Sequence, residues 1–332
     1  MLLAPDPYFQ LLAFGVGVDS SCLLAMHLNR DATCEFLGID RATLDSHLPL
    51  WEAAVFSDTG AEWDHTYANL AYAQEKCEEA GFELVVVRSE SRGPIDEWHT
   101  ERGVVPFFNG GKHTCSKIWK QIPMHKWAAE RYGKEAKCMW SVGIAANENG
   151  RLSKFNGLDK KAADDGQYSR FPLTDLGISR EKAKTILRHL DWMPEGDEVS
   201  LSACYHCPYN TEGDLRMLRE RYPDLWAKAE KMEEAFLAAS TAKYQLWLDE
   251  GQPLLKFGKT KAGVQKFRAP AGMWQADYAN RPDSPQRLIQ RNGPSGGLMS
   301  MKEWGDYIDS NVLPVVEGQS RLSEFTGCGG GI

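Results

Sequence analysis

The sequence lacks the features of a membrane or secreted protein. Among its 332 residues, no apolar run approaches the roughly 18 residues that a membrane-spanning helix needs. The first seven residues contain no basic group and no long apolar stretch, so we expect no signal peptide and a cytoplasmic location. Eight cysteines in such a chain favour metal or catalytic roles over a disulfide framework.

An excess of positive charge is also lacking. The net charge of −8 argues against a protein that coats nucleic acid through bulk charge. The segment 256–291 differs, because it contains eight Lys or Arg residues and only two Asp, with four aromatic residues between them: Phe257, Phe267, Trp274 and Tyr278. This mixture is typical of surfaces that bind single-stranded nucleic acid. The segment therefore predicts either DNA or tRNA binding, or a solvated, loop-rich insertion whose rings pack inward.

Short apolar segments alternate with helical patterns over the first 150 residues. Strands are predicted at 8–14, 52–57, 82–88 and 138–145. Helices are predicted between them, at 20–29, 64–80 and 117–132. The alternation predicts an α/β fold with a doubly wound parallel sheet, which binds ligands at the carboxyl ends of its strands.

The strand pattern fades after about residue 150. Helices are predicted at 180–190, with Ser179 as N-cap, at 211–240 and, weakly, at 302–308, whereas 252–300 is predicted to be mostly loop. We therefore predict two domains. Residues 1–155 form a nucleotide-binding α/β domain, and residues 156–332 form a helical, loop-rich C-terminal region.

A glycine-containing loop joins the first predicted strand to the first predicted helix. Its sequence is Gly15-Val16-Gly17-Val18-Asp19-Ser20-Ser21. It has neither the Gly-Lys-Ser/Thr of a Walker A loop nor the third glycine of a dinucleotide fingerprint. Glycines allow phosphates to approach the backbone, and amides at the start of a helix attract anions. The loop predicts a phosphate site, with a plain strand-to-helix turn as the alternative.

Three segments in order resemble known families. The loop resembles the PP-loop, Ser-Gly-Gly-x-Asp-Ser, of ATP pyrophosphatases: Gly17, Asp19 and Ser20 match, whereas Gly15 and Val16 replace the first Ser and the first Gly. The stretch 58–62, Asp-Thr-Gly-Ala-Glu, and the stretch 143–151, from Gly-Ile to Arg, resemble segments of the phosphoadenosine-phosphosulfate (PAPS) reductase family. Asn147 stands where that family usually has an acid.

The resemblance implies a HUP-like, PP-loop domain that binds an adenine nucleotide, either ATP or PAPS with Mg²⁺. Asp19 and Ser20 are implied to act on the phosphates. Asp58 and Glu62 are candidates for holding the metal or for capping the next helix, and Gly143 and Ile144 for contacting adenine. The implied nucleotide-binding residues are Gly15, Gly17, Asp19, Ser20, Ser21, Asp58, Thr59, Gly60, Glu62, Gly143, Ile144 and Arg151.

Cys204-Tyr205-His206-Cys207 is a CxxC pair, and Cys115 is a distant third cysteine. Such a group is compatible with an iron–sulfur cluster, with zinc held partly by His113 or His206, or with a redox disulfide. The stretch 115–123 resembles the Cys-x-x-x-x-Lys-x-x-Pro of the PAPS reductase family, whose iron–sulfur members have Cys-Cys where this chain has Thr114-Cys115. The stretch from Cys204 to 209 is especially similar to phage and DNA-phosphorothioation members.

The resemblance implies a [4Fe–4S] cluster with three or four thiolate ligands. The predicted ligands are Cys115, Cys204, Cys207 and, in the glycine-rich tail, Cys328. Cys328 has a second interpretation, because reductases of this family attack sulfate with a cysteine near the C-terminus. The remaining cysteines, Cys22, Cys34, Cys77 and Cys138, are expected to be inert thiols of the core.

Three functions are compatible with these features. The first is an adenylating sulfurtransferase that uses ATP, a sulfur donor and an acceptor such as nucleic acid. The second is a PAPS or adenylyl-sulfate reductase, with Cys328 as nucleophile and a thioredoxin-like protein as reductant. The third is a non-catalytic nucleotide- or DNA-binding subunit with a structural cluster.

Overall fold

The computed structural model describes residues 8–106, 114–148, 150, 152, 166–192, 203–208, 210–250, 255–259, 265–268 and 300–310. No helix in these ranges is long and apolar enough to cross a membrane. The chain forms two compact units. The first contains the described residues up to Gly93 and those from 114 to Cys204, and the second contains Pro94 to 106 and Tyr205 to 310. The domain boundary that we expect after residue 155 stays a prediction.

A five-stranded parallel sheet forms the centre of the first unit. Its strands are β1 Phe9–Ala13, β2 Ala53–Asp58, β3 Leu84–Arg88, β4 Cys138–Val142 and β5 Gln167–Arg170. They lie in the order β3-β2-β1-β4-β5, and every neighbouring pair is parallel. The predicted α/β fold with a parallel sheet is confirmed, as are the four predicted strands.

Within the described residues of the first unit, nine helical segments lie before, between or after the strands in the sequence. They are α1 Val18–Leu28, α2 Arg30–Leu37, α3 Arg41–His47, α4 Asp64–Glu79, α6 Thr114–Ser116, a π-helical turn Lys117–Gln121, α7 Ile122–Tyr132, α8 Pro172–Asp175 and α9 Arg180–His189. Ser179 is the N-cap of α9, and its side chain accepts a hydrogen bond from the Lys182 amide, as the sequence predicts.

Successive residues of a strand point to opposite faces of the sheet, and apolar clusters cover both faces. Leu12, Ala54 and Phe56 belong to one apolar cluster, which α1 and α9 also line. Leu11, Ala53 and Val55 belong to a second cluster, which α7 lines with Met124 and Ala128. A strand that is buried throughout, such as β2 with its four leading apolar residues, is therefore what this sheet requires.

The edge strand β5 has no apolar pattern in the sequence. Its residues, Gln167-Tyr168-Ser169-Arg170, are all partly exposed. The strand is held by pairing with β4 and by the Gln167 side-chain carbonyl, which accepts a hydrogen bond of 2.7 Å from the Trp140 indole. A short polar strand at the edge of a sheet protects against pairing with other chains, but it gives no signal from hydrophobic periodicity.

The second unit contains helices and a small antiparallel ribbon. Its elements are α5 Ile95–Arg102, α10 Glu212–Arg221, α11 Pro223–Asp249, α12 Met301–Ser310, β6 Leu255–Lys259 and β7 Gln265–Arg268. A capping box between Thr211 and Asp214 starts α10, and Pro223 occupies the first turn of α11. In the segment 252–300, which is predicted to be mostly loop, the described residues include the two strands β6 and β7, which pair with each other; most of the segment lies outside the described ranges.

Candidate functional site

The loop between β1 and α1 lies where the strand order of the sheet reverses. From β1 the chain adds β2 and β3 on one side, and β4 and β5 on the other. The loops that follow β1 and β4 are therefore neighbours at the carboxyl edge of the sheet, which is where open α/β sheets bind ligands. The structure brings together two of the predicted segments at this point, residues 15–21 and 143–148.

The start of α1 has no side-chain cap. Gly17 is the N-cap residue, so no side-chain cap hydrogen bond is made there. The Ser20 hydroxyl instead accepts from the Gly15 amide and donates to the Gly17 carbonyl, both at 3.2 Å, which fixes the shape of the loop. Asp19, Ser20 and Ser21 are all buried. The first turn of α1 therefore keeps the character of an anion site.

Val16 adopts a left-handed backbone conformation, with φ of 60°. A β-branched residue is rarely found there, because its side chain crowds the backbone. Val16 occupies the position at which the PP-loop pattern has a glycine. Its side chain is buried in the first apolar cluster, and this packing offsets the strain. The loop therefore has a glycine-like backbone without the glycine.

Gly143 is required by the close approach of the β4 loop to α1. A Cβ atom at this position would lie 2.7 Å from the Ser20 amide nitrogen and 2.9 Å from the Asp19 carbonyl carbon. The Ile144 side chain is fully buried in the second apolar cluster, and its carbonyl accepts a hydrogen bond of 2.9 Å from Thr174. The predicted approach of adenine to the backbone at Gly143, and its predicted packing on the Ile144 side chain, stay predictions.

Arg180 joins the two loops, a role that sequence reasoning missed. Its Nη2 atom donates to Asp19 Oδ2 at 2.8 Å and to Glu148 Oε1 at 3.0 Å. Burial disfavours the charged guanidinium, but the bonds and charges of Asp19 and Glu148 outweigh it and raise the pKa of Arg180. The backbone amide of Arg180 also donates to Asn147 Oδ1 at 3.3 Å. Asn147 therefore has a structural role at the position where the family usually has an acid.

Asp58 is buried at the end of β2 with partners on both oxygens. Oδ1 accepts from the Gly60 amide at 2.8 Å and from the Tyr67 hydroxyl at 2.9 Å. Oδ2 forms an ion pair of 2.7 Å with Arg88. Burial and then the charge of Asp58 raise the pKa of Tyr67, which stays a proton donor. These contacts give Asp58 a structural role in the turn, whatever its part in holding a metal.

Glu62 and Thr59 connect the β2 loop to a cysteine of the CxxC pair. Thr59 Oγ1 donates to Glu62 Oε1 at 2.9 Å and lies 3.4 Å from Cys204 Sγ. Lys120, on the π-helical turn, is 3.5 Å from Glu62 Oε1. The N-cap residue of α4 is Trp63, which makes no side-chain cap hydrogen bond, so neither Asp58 nor Glu62 is the N-cap residue of that helix. Cys204 thus lies beside the predicted nucleotide segment 58–62.

The described cysteines fall into two groups. Burial raises the pKa of Cys77 to about 12 and that of Cys138 to about 11, and it also raises that of Cys22. These three are buried thiols of the sheet clusters, as expected, whereas Cys34 is partly exposed. Of the predicted metal ligands, Cys115 and Cys204 are partly exposed and Cys207 is buried.

No complete metal site is formed by the residues that the structure describes. Among them, no group of three or more His, Cys, Asp or Glu side chains is placed to hold a metal ion. His206, the candidate ligand for zinc, is fully buried, and burial lowers its pKa to about 3, so the ring is neutral. Its Nδ1 atom has no hydrogen-bond partner within the described ranges. Arg151, His113 and Cys328 lie outside those ranges, as does most of 256–291.

Comparisons with known proteins give only distant structural likeness. No family model matches the chain, and no curated protein matches it. Among solved structures it is similar to the U34-tRNA thiolase NcsA from Methanococcus maripaludis, determined with its [4Fe-4S] cluster. The TM-score is 0.39 at 13% identity, over 70% of this chain and 73% of that one. At this level of similarity, the comparison assigns no role to any residue.

Proposed function

We propose that the chain is an adenylating sulfurtransferase that resembles the PAPS reductase-like branch of the PP-loop ATP pyrophosphatases. The observation behind the proposal is the position of loop 15–21. It follows the central strand at the reversal of strand order, and it leads into a helix whose first turn has no side-chain cap. This arrangement suits the phosphates of a nucleotide.

The first half of the proposed reaction activates the acceptor. ATP with Mg²⁺ would place its phosphates against the first turn of α1. An oxygen of the acceptor attacks the α-phosphorus, the bond to the bridging oxygen breaks, and pyrophosphate leaves. The backbone amides of the loop stabilise the charge that develops on the phosphate oxygens, and Ser20 holds the loop in shape. The product is an acceptor adenylate.

The second half replaces oxygen by sulfur. A sulfur nucleophile from the donor attacks the activated carbon, and AMP leaves with the former acceptor oxygen. Cys204 is a thiol beside the candidate site, since its sulfur lies 3.4 Å from Thr59 Oγ1 at the end of β2. The [4Fe–4S] cluster with Cys115, Cys204, Cys207 and Cys328 remains part of the proposal. We assign no step to it, because the described residues form no complete metal site.

A nucleic-acid acceptor is supported by the β6–β7 ribbon. Residues 255–268 contain five Lys or Arg residues and no Asp or Glu, and their strands pair in antiparallel fashion. Two-stranded ribbons of this kind bind nucleic acids by neutralising phosphates. We therefore propose tRNA or DNA as the acceptor class.

The test is product analysis with anaerobically purified protein. The chain is incubated with Mg²⁺ and ATP labelled at the α-phosphate, together with a sulfide donor and either bulk tRNA or DNA. The proposal predicts AMP and pyrophosphate, with formation stimulated by one of the two nucleic acids, and sulfur in that acceptor. Formation of ADP, or sulfite release from PAPS with thioredoxin in place of ATP turnover, would contradict it. Iron and sulfide analysis of the same preparation tests the cluster, and a colourless, zinc-containing protein would eliminate it.

A further inference from the structure

Arg180 occupies a position that the electrostatics of its own helix oppose. It is the first residue of α9, and the partial positive charge at a helix N-terminus disfavours a cation. The side chain extends from there to two carboxylates of the candidate site, Asp19 and Glu148. Its contacts with these carboxylates, rather than the stability of α9, therefore explain an arginine at this position.

Acidic and basic groups surround Arg180. Lys184 follows one turn later on α9, and burial and then the charge of Arg180 lower its pKa. Asp19 and Glu148 provide two negative charges, with side chains only 6% and 13% exposed. The exposed Glu181 adds a third negative charge, and Arg188 a further positive one, so charges of the two signs offset each other. An arriving polyphosphate adds several negative charges next to Asp19, so the balance has to change when a nucleotide binds.

The guanidinium of Arg180 can change its hydrogen-bond partners without leaving the site. One nitrogen, Nη2, is shared between the two carboxylates, and only Nε adds a longer contact of 3.4 Å to Asp19. The planar guanidinium fork matches two phosphate oxygens at least as well as it matches one shared carboxylate pair. Its side chain is 21% exposed, so part of the group remains accessible to a ligand.

We propose that Arg180 exchanges the carboxylates of Asp19 and Glu148 for the phosphates of the bound nucleotide and positions the polyphosphate over the start of α1. In the nucleotide-free chain, Arg180 holds the β4 loop against α1. In the nucleotide complex, it binds the phosphate oxygens, and the Mg²⁺ that accompanies the nucleotide compensates the two carboxylates. This role rests on the proposed function, since it requires a polyphosphate at loop 15–21.

The experiment compares three ligands on the anaerobically purified full chain. Dissociation constants of ATP, inorganic pyrophosphate and adenosine are measured for the wild type, Arg180→Gln and Arg180→Lys. We expect Arg180→Gln to lower the affinities for ATP and pyrophosphate by about 10- to 100-fold, which corresponds to the loss of a charge-assisted hydrogen bond. Adenosine binding should change by less than about twofold. Arg180→Lys keeps the charge without the fork, so it should recover part of the phosphate affinity.

Arg30→Gln is the matched control. Arg30 is also the first residue of a helix, and it is also held by an aspartate, Asp45, and by backbone carbonyls. Arg30→Gln should lower the melting temperature and leave all three affinities unchanged. If Arg180→Gln lowers the affinity for adenosine as much as the affinity for ATP, or changes no affinity, then Arg180 has a structural role only and the inference is overturned. If the wild type itself binds neither ATP nor pyrophosphate, the proposed function fails as well.

Discussion

Replacing Gly143 by alanine tests whether the β4 loop and the start of α1 form one site. The new Cβ atom would lie 2.7 Å from the Ser20 amide nitrogen, 2.9 Å from the Asp19 carbonyl carbon and 3.0 Å from Asp19 Cβ. Two of these three atoms belong to the backbone of a buried helix start, so they cannot move aside as the end of a flexible side chain could. Either the β4 loop or α1 must shift.

The expected cost follows from the number and type of these contacts. Inserting a methyl group into a packed region costs about 1–3 kcal/mol. At roughly 2–4 °C for each kcal/mol, the melting temperature should fall by about 2–12 °C. The shift also displaces the amides of the first turn of α1. We expect ATP affinity to fall by about 5- to 30-fold, which is equivalent to losing about 1–2 kcal/mol of hydrogen bonding to a charged group.

The assay is thermal unfolding together with ATP titration of Gly143→Ala. Gly150→Ala is the control, because a Cβ atom at Gly150 would meet nothing within 4 Å. That variant should melt within about 1 °C of the wild type, since surface substitutions away from such contacts have small effects. A Gly143→Ala chain with the melting temperature and ATP affinity of the wild type would refute the close packing of the two loops.

Three further substitutions test the two compact units. Gly103→Ala should destabilise the second unit by about 2–4 kcal/mol in denaturant titration, because φ is +55° and the Cβ atom would lie 2.4 Å from Ala239 Cβ. The wild type should lose stability as the pH falls from 6.5 to 4, and His27→Phe should lose less. Burial and then a nearby arginine lower the pKa of His27 to about 4, so the unfolded chain binds the proton first, and up to about 3 kcal/mol of stability is lost on acidification. Tyr205→Phe should cost about 1–3 kcal/mol, because the buried Asp96 carboxylate loses a hydrogen bond of 2.8 Å. Unchanged unfolding curves for Gly103→Ala or Tyr205→Phe, or an unchanged pH slope for His27→Phe, would contradict these assignments.

The central strands could be predicted from the sequence because burial on both faces selects continuous apolar runs. β1 and β2 are nearly or wholly buried, and each is followed by a polar or glycine-containing loop. β5 could not be predicted in this way, because its four residues are polar and partly exposed. Its place in the sheet depends on pairing with β4, a tertiary interaction that local pattern does not encode.

The candidate site was predictable where its residues follow strands. The loops 15–21, 58–62 and 143–148 all lie at strand ends, as expected. Arg180 was not predictable as a partner of Asp19, since 161 residues separate them. The one local signal was a basic residue in the first turn of a helix, where the helix dipole disfavours it. Likewise, the proximity of Cys204 to Thr59 spans 145 residues and follows from the fold alone.

Binding of the ATP phosphates by loop 15–21 can be tested with a crystal structure of the chain bound to a non-hydrolysable ATP analogue and Mg²⁺. We expect phosphate oxygens within about 2.7–3.2 Å of backbone amides in the first turn of α1, and Arg180 moved from Asp19 and Glu148 to a phosphate. A nucleotide bound elsewhere on the chain, or a first turn of α1 that contacts no phosphate in a saturated crystal, would contradict it.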